Sequence, residues 1–482
     1  MRLADLAADL KIAAASGAAE ITGLSADSRT VRPGYLFAAL PGVASDGAAF
    51  IADAVRAGAV AVLVPPGVDV PAGVAAVVDD DPRRALAVMA ARFFPRQPET
   101  LVAVTGTSGK TSVADFTRQI FAAAGRRAAS IGTLGVIGPD GAHYGGLTTP
   151  DPVKLHETLD RLAGDGVTHA ALEASSHGLD QRRLDGLRLT AAGFTNLGRD
   201  HMDYHPSVDD YLAAKLRLFR EVLPAGRTAV VDVDGAVGEA VVSAAAESGR
   251  RPITVGRRGR EIRILDAVPE GLAQRVALEV FGQRVDVLLP LAGTFQASNA
   301  AMALGLALSA GIPQDAAVAA LGALRGAAGR LEKVAETPAG APIFIDYAHK
   351  PEALVAALSA LRPMTRGRLI AVIGAGGDRD PGKRPLMGEA AAAVADLVIV
   401  TDDNPRSEDP ADIRAAIMAG APGATEVPGR GEAIARAVAM LEAGDVLCIA
   451  GKGHETGQIV KGEVLPFSDH DAVAAALREV GG

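Results

Sequence analysis

The sequence predicts an α/β protein with mostly parallel sheets, laid out as three consecutive blocks. Three observations carry that reading. Short apolar runs recur along the 482 residues and stop at turn residues, as strands do. Segments with helical spacing separate many of these runs, and strand–helix alternation implies parallel pairing. Hydrophobic residues make up 49% of the chain and charged residues 22%, which excludes a disordered protein and supplies apolar surface for more than one core.

The first block, residues 1–97, contains apolar runs at 37–40 and 59–64, the second ending at Pro65 and Pro66. Pro95 and Pro98 then mark a linker, because neither a helix interior nor a central strand accepts them. The second block, 98–330, opens on the run 101–104 and continues through runs at 168–172, 191–195 and 228–231. Residues 153–162 and 211–223 carry helical spacing between them. From 262 to 291 the pattern changes, and apolar runs at 276–280 and 285–289 around Gly282 read as an antiparallel excursion. The third block, 331–482, holds candidate strands at 343–345, 369–373, 397–400 and 446–450, each followed by a polar or glycine-rich turn. Ligands of open α/β sheets bind beyond the carboxyl ends of strands, so the chemistry is expected in such turns.

Composition narrows the function classes. A formal net charge of −9 argues against a nucleic-acid partner. The one cysteine, Cys448, excludes an intrachain disulfide and, inside an apolar run, reads as an inert buried thiol. Asp5 and Asp9 interrupt the apolar stretch that a secretory signal needs, and no run of about 18 apolar residues occurs. A soluble cytoplasmic protein without membrane insertion is the expectation.

The sharpest motif is Thr105-Gly106-Thr107-Ser108-Gly109-Lys110-Thr111-Ser112, between the run 101–104 and a helix-like segment. Its glycines let backbone N–H groups close around phosphate, and the helix N-terminus adds a favourable dipole. Lys110 would balance the terminal phosphates, and Thr111 or Ser112 would offer a hydroxyl to Mg2+. Two residues separate the glycines, whereas the usual phosphate loop has four. Other candidates stay open on their residues alone. Glu173, at a strand end, suits Mg2+ because hard cations take oxygen, but a helix cap or solvated acid would look the same. The histidines and acids between 200 and 205 read as a metal site or a polar turn. Lys215 falls four residues after Tyr211 and four before Phe219, as a snorkelling lysine would, and Asn299 could cap the Ala-rich helix that follows it.

The short-spaced loop, with in-order matches at Glu173-Ala174-Ser175, His201, Lys215, Asn299, Arg330 and Asp346, resembles the Mur ligase and folylpolyglutamate synthetase superfamily. It is most similar to the Mur ligases of peptidoglycan synthesis. The resemblance implies a small N-terminal α/β domain for a UDP-sugar (1–97), a central P-loop-type mostly parallel sheet for ATP (98–330) and a C-terminal Rossmann-like domain for an incoming amino acid (331–482). It implies ATP contacts by Gly106, Thr107, Ser108, Gly109, Lys110, Thr111 and Ser112, by Asn299 against adenine, and by Arg330 and Asp346. Lys110, Glu173, His201 and Lys215 are the implied catalytic residues. Thr111, Glu173, His201 and Lys215 are the implied metal ligands, Lys215 as a CO2-derived carbamate; His205 reads as structural. Ser28, Val43, Ala44 and Ser45 fall where the family contacts the UDP-sugar, and Thr148, Thr149, Ser175, Gln181 and Arg183 where it holds the linked peptide. Ser108 and Ser112 depart from a common asparagine and threonine but keep the glycines, the lysine and a hydroxyl.

Three turns in the third block name an acceptor: Gly376-Gly377-Asp378-Arg379-Asp380, Asp403-Asn404-Pro405-Arg406 and Gly451-Lys452-Gly453-His454-Glu455. They offer arginines for carboxylate and acids for ammonium, as a zwitterion requires. The resemblance assigns Arg379, Asp403, Asn404, Pro405, Arg406, Gly451 and Glu455 to it. It implies the meso-diaminopimelate type, because Arg406 can pair with a second carboxylate that lysine lacks. The implied reaction joins meso-2,6-diaminopimelate to the D-Glu side-chain carboxylate of UDP-MurNAc-L-Ala-D-Glu through an acyl phosphate, in a monomer. A lysine-adding or folylpolyglutamate-forming ligase is the near alternative, and an ATP-binding regulator without ligase turnover the distant one.

Overall fold

The computed structural model describes residues 1–12, 17–42, 46–143 and 145–481, so Val43, Ala44 and Ser45 lie outside the described residues. The chain forms two compact units, Met1–Glu261 with Met302–Ala317 and Ile262–Ala301 with Val318–Gly482.

The first unit contains two sheets. In the smaller, β1 (Lys11–Ile12), β2 (Gly23–Ser25), β3 (Tyr35–Ala38), β4 (Ala61–Val64) and β5 (Ala75–Val78) run in the order β1-β5-β4-β3-β2, parallel except at β1. The helix Pro82–Phe93 packs Leu86, Met89 and Ala90 against Leu36, Leu63 and Val77. Its start is dictated locally: the Asp81 carboxylate accepts the Arg84 N–H, and Pro82 sits where a missing N–H costs nothing.

The larger sheet holds β6 (Thr100–Thr105), β7 (Ala128–Gly132), β8 (Gly135–Gly138), β9 (Gly141–His143), β10 (His169–Glu173), β11 (Ala191–Phe194), β12 (Thr228–Asp232) and β13 (Arg251–Gly256). Their order is β13-β12-β11-β6-β10-β7-β8-β9, parallel from β13 to β7 and antiparallel beyond. β6 lies between β10 and β11, so the chain leaves it toward one side and later returns to the other. At such a reversal, beyond the carboxyl ends of the strands, open α/β sheets bind ligands, and here that is the end of β6. Helices on both faces explain why β6, β10 and β11 are buried, continuous apolar runs.

The second unit begins with the antiparallel meander β14 (Ile262–Glu270), β15 (Ala273–Val280) and β16 (Gln283–Leu289), as the sequence predicts. Its main sheet is β17 (Glu332–Glu336), β18 (Pro342–Asp346), β19 (Leu369–Ile373), β20 (Leu397–Val400), β21 (Thr425–Glu426) and β22 (Val446–Ala450), in the order β17-β18-β22-β19-β20-β21. Only β17 is antiparallel. Alternate residues feed two cores, Phe344, Ala371 and Cys448 on one face and Ile345, Val372 and Ile449 on the other. Cys448 is fully buried, and burial pushes its thiol pKa up, as an inert thiol requires. The hairpin β23 (Gly457–Val460) and β24 (Glu463–Pro466) follows.

The α/β class and the mostly parallel sheets agree with the sequence. One local expectation fails. Asn299 lies inside the helix Phe295–Ser309 rather than ahead of it, so it is not the cap. Its amide donates to Gln296 Oε1 at 2.8 Å, a pairing that three-residue spacing on one helix face allows. No helix among the described residues is long and apolar enough to cross a membrane.

Candidate active site

β6 ends at Thr105 and the helix Lys110–Ala123 begins five residues later, leaving the glycine loop between them at the carboxyl end of the strand. Gly106 has φ 145°, and a Cβ there would lie 1.9 Å from Thr195 Oγ1, so only glycine follows this path. The turn after β11 fastens the loop. Ser108 N donates to Asn196 Oδ1 and Thr107 N to Asn196 O, both at 2.9 Å, while Thr195 Oγ1 donates to Ser108 O at 2.6 Å. Lys110 Nζ folds back to donate to Gly106 O and Thr107 O, each at 2.9 Å.

Glu173 closes β10 and is 2% exposed. It accepts Thr111 Oγ1–H at 3.0 Å on Oε2 and Thr133 N–H at 2.8 Å on Oε1. A hydroxyl from the first turn of the helix and a carboxylate from the end of β10 thus converge, the hard oxygen donors that Mg2+ takes. Among the described residues no three His, Cys, Asp or Glu side chains form a ready metal cage.

Lys215 is 1% exposed, donates to Gly106 O at 2.7 Å and lies 4.1 Å from the Tyr211 ring centre. Burial, with the Lys110 ammonium nearby, pushes its pKa down to about 6. Tyr211 reaches the loop as well, with its hydroxyl 3.3 Å from Thr107 Oγ1. His201 is exposed, adopts φ 55° and places Nε2 3.7 Å from Asp200 Oδ2, its ring 4.8 Å from that of His177. His205 is buried against Tyr211 and His177, as a structural residue would be, and burial holds its imidazole below the usual value.

Five further predicted residues form one polar patch beside Glu173. Thr148 Oγ1 lies 3.0 Å from Thr133 Oγ1, and Thr149 Oγ1 donates to Glu173 O at 2.8 Å. Ser175 donates its N–H to Thr149 Oγ1 and accepts from Gly178 N, capping the helix Ser176–Asp180. Arg183 donates to Thr149 O at 2.6 Å and to Gln181 Oε1 at 2.7 Å. Ser28 starts the short helix Ser28–Thr30, which Asp27 caps.

In the second unit, the Arg330 guanidinium lies over the Tyr347 ring at 4.7 Å. Asp346 accepts N–H bonds from Leu331 at 2.6 Å and Ala348 at 2.7 Å; burial raises its pKa, and Arg330 opposes the rise. The three turns expected to hold the acceptor follow β19, β20 and β22. Asn404 Nδ2 donates to Glu455 Oε2 at 2.9 Å, and Lys452 Nζ touches both Asn404 Oδ1 and Glu455 Oε2 at 3.2 Å. A Cβ on Gly451 would meet Asp403 Oδ2 at 2.7 Å. Arg406, at φ 53°, donates Nη1 to Gly377 O at 2.6 Å, and a Cβ on Gly377 would lie 2.0 Å from Pro405 O. β23 clamps this turn, since Arg406 N donates to Ile459 O at 2.9 Å and Gln458 Nε2 to Asp403 O at 2.5 Å. Among the described residues Arg379, exposed on its turn, takes no part in the network.

Sequence reasoning assigned no role to Thr133, Asn196, Tyr211, Lys452 or Gln458. The four-residue spacing of Tyr211 and Lys215 on one helix was a usable signal, because such residues share a face. Lys452 lay inside a glycine-flanked turn that the sequence singled out, and nothing local marks Thr133, Asn196 or Gln458.

Comparison with known proteins bears on the whole chain. Residues 20–94 match the model of the Mur ligase family, catalytic domain, residues 104–307 the Mur ligase middle domain, and residues 329–453 the Mur ligase, glutamate ligase domain. A UDP-N-acetylmuramoyl-L-alanyl-D-glutamate--2,6-diaminopimelate ligase of Chelativorans sp. (strain BNC1) is 56% identical over 480 residues, 99% of each chain. The chain belongs to the Mur ligase family. A second relative of that name, from Bradyrhizobium diazoefficiens, is 58% identical over 485 residues, again 99% of both chains. A solved structure of a ligase of the same name is 32% identical to this Mur ligase, with TM-score 0.73, covering 100% of this chain and 99% of that one.

Proposed function

We propose that this Mur ligase joins meso-2,6-diaminopimelate to the D-Glu side-chain carboxylate of UDP-MurNAc-L-Ala-D-Glu, converting ATP to ADP and phosphate. The observation that carries the substrate assignment is the Asp403-Asn404-Pro405-Arg406 turn, with Arg406 seated on Gly377 O and two acids beside Lys452. An arginine and paired acids suit a zwitterion, and an arginine beyond them suits a second carboxylate. The full-length relatives named as diaminopimelate ligases support the same reading.

The chemistry divides into two displacements. The D-Glu carboxylate attacks the γ-phosphorus of ATP, an O–P bond forms, the bond to the β-phosphate breaks, and ADP leaves. An amine of diaminopimelate then attacks the acyl carbon; the C–N bond forms, phosphate departs, and the amine proton passes to solvent. Lys110 and the loop N–H groups are assigned to take up charge on the transferring phosphoryl group, Lys110 Nζ turning to it from Gly106 O and Thr107 O. The patch around Thr149, Ser175, Gln181 and Arg183 is assigned to orient the dipeptide beside Glu173. Ser28 is assigned to the UDP-sugar.

Thr111 and Glu173 are the oxygen donors assigned to Mg2+, with His201 and Lys215 as further ligands. Mg2+, when bound, supplies positive charge to the phosphates. Lys215 is assigned a carbamate derived from CO2, because a buried amine with a pKa of about 6 is neutral near pH 7 and nucleophilic. Asn299, Arg330 and Asp346 are assigned to ATP, and residues 1–97, 98–330 and 331–482 to UDP-sugar, ATP and amino acid. We assign the enzyme to the cytoplasm as a monomer acting on small molecules, with no nucleic acid.

The test is phosphate release with each substrate omitted in turn, together with the mass of the product. Release that needs ATP, the UDP-dipeptide and diaminopimelate, with one amide bond gained, is expected. Phosphate released without an acceptor, or none released at all, overturns the proposal.

A further inference from the structure

Lys452 is an ammonium with no exposure to water, yet it sits in a turn between two glycines. Its Nζ lies 3.2 Å from Asn404 Oδ1, 3.2 Å from Glu455 Oε2 and 3.6 Å from Asp403 Oδ1. The turns after β20 and β22 therefore meet on one buried charge. Taking an ammonium out of water is costly unless carboxylates and hydrogen-bond acceptors replace its shell, and here two carboxylates and an amide oxygen do.

Simple support of the fold is supplied elsewhere. Arg430, also fully buried, pairs with Asp469 at 2.6 Å and donates to Ala450 O at 3.0 Å, fixing the end of β22. The Lys452 contacts differ in kind, because they reach side chains assigned to the acceptor. Asn404 is held at both ends of its amide, Oδ1 by Lys452 and the Ile459 N–H, Nδ2 by Glu455. Both carboxylates face the Lys452 ammonium, and Arg430, itself paired with Asp469, and Lys383 add positive charge near Asp403.

We propose that Lys452 is a positioning residue for the acceptor: it locks the side chains of Asp403, Asn404 and Glu455 in the arrangement that receives the incoming ammonium group. This inference rests on the proposed amino-acid role of those turns.

Steady-state phosphate release by the full chain tests it, varying each substrate for the parent, Lys452→Met and Lys452→Gln, the last keeping a hydrogen-bond donor without the charge. The expected result is a KM for diaminopimelate raised about ten-fold or more in Lys452→Met, as loss of a charged hydrogen bond implies, with the KM for ATP and UDP-dipeptide unchanged. Lys452→Gln should fall between. An acceptor KM equal to the parent's, or equal rises for all three substrates, overturns the inference while the proposed function stands. Loss of the fold in both variants, seen by circular dichroism, also overturns it, since the role would then be structural. A parent that never saturates with diaminopimelate overturns the proposed function and this inference with it.

Discussion

Two amines share one carbonyl. Lys110 Nζ and Lys215 Nζ both donate to Gly106 O, at 2.9 and 2.7 Å. Burial strips the Lys215 ammonium of its water and the neighbouring Lys110 ammonium adds repulsion, so Lys215 is the one that gives up its proton. Different outcomes follow for the two residues. Lys110→Ala should abolish phosphate release, because charge on the transferring phosphate would be unopposed; near-parental turnover would contradict its role. Lys215→Met should also lose turnover, but it should gain stability. The unfolded chain holds a proton on this amine up to its ordinary value of 10.5, whereas the folded chain releases it near 6. Between those values unfolding takes up a proton, so parental stability falls as pH drops, by roughly 1 kcal/mol per pH unit. The advantage of Lys215→Met is therefore largest near pH 6 and fades toward pH 10. Denaturant unfolding in CO2-free buffer measures it, and a difference that stays flat with pH would contradict a buried neutral amine.

At the scale of elements, the acceptor site depends on how closely turns approach. Gly377 is such a point, because a Cβ there would lie 2.0 Å from the Pro405 carbonyl oxygen, a backbone atom that cannot rotate away. Gly377→Ala should push the turns after β19 and β20 apart, costing about 1–3 kcal/mol and raising the acceptor KM. Unfolding midpoints and kinetics check this, and an unchanged acceptor KM would show that the approach is not needed. Strands at this scale were legible where β-branched and large apolar residues cluster, as in β6, β19, β20 and β22. β7, Ala-Ala-Ser-Ile-Gly, and β13, with Pro252 inside it, were not, because a serine and a proline break their short apolar runs. The hairpin β23–β24 has no fully buried residue, so it left no periodic trace although it clamps Arg406. The candidate site was legible as turns at strand ends; its internal order was not. Burial of Lys452 and the seat of Arg406 arise from contacts across tens of residues, which local spacing does not encode.

For the whole molecule, the units divide the chemistry. The first holds the loop, Glu173 and Lys215, assigned to activate a carboxylate; the second holds the turns assigned to the amine donor. The phosphate loop and strand order follow from general rules, but the identity of the acceptor depends on one guanidinium at Arg406. The most direct test compares kcat/KM for meso-diaminopimelate and L-lysine in the parent and in Arg406→Ala. The parent should turn over diaminopimelate and leave lysine essentially unused, and Arg406→Ala should lose about ten-fold or more of its preference through the diaminopimelate KM. A parent that uses lysine as readily, or an Arg406→Ala variant with its preference intact, would contradict the account.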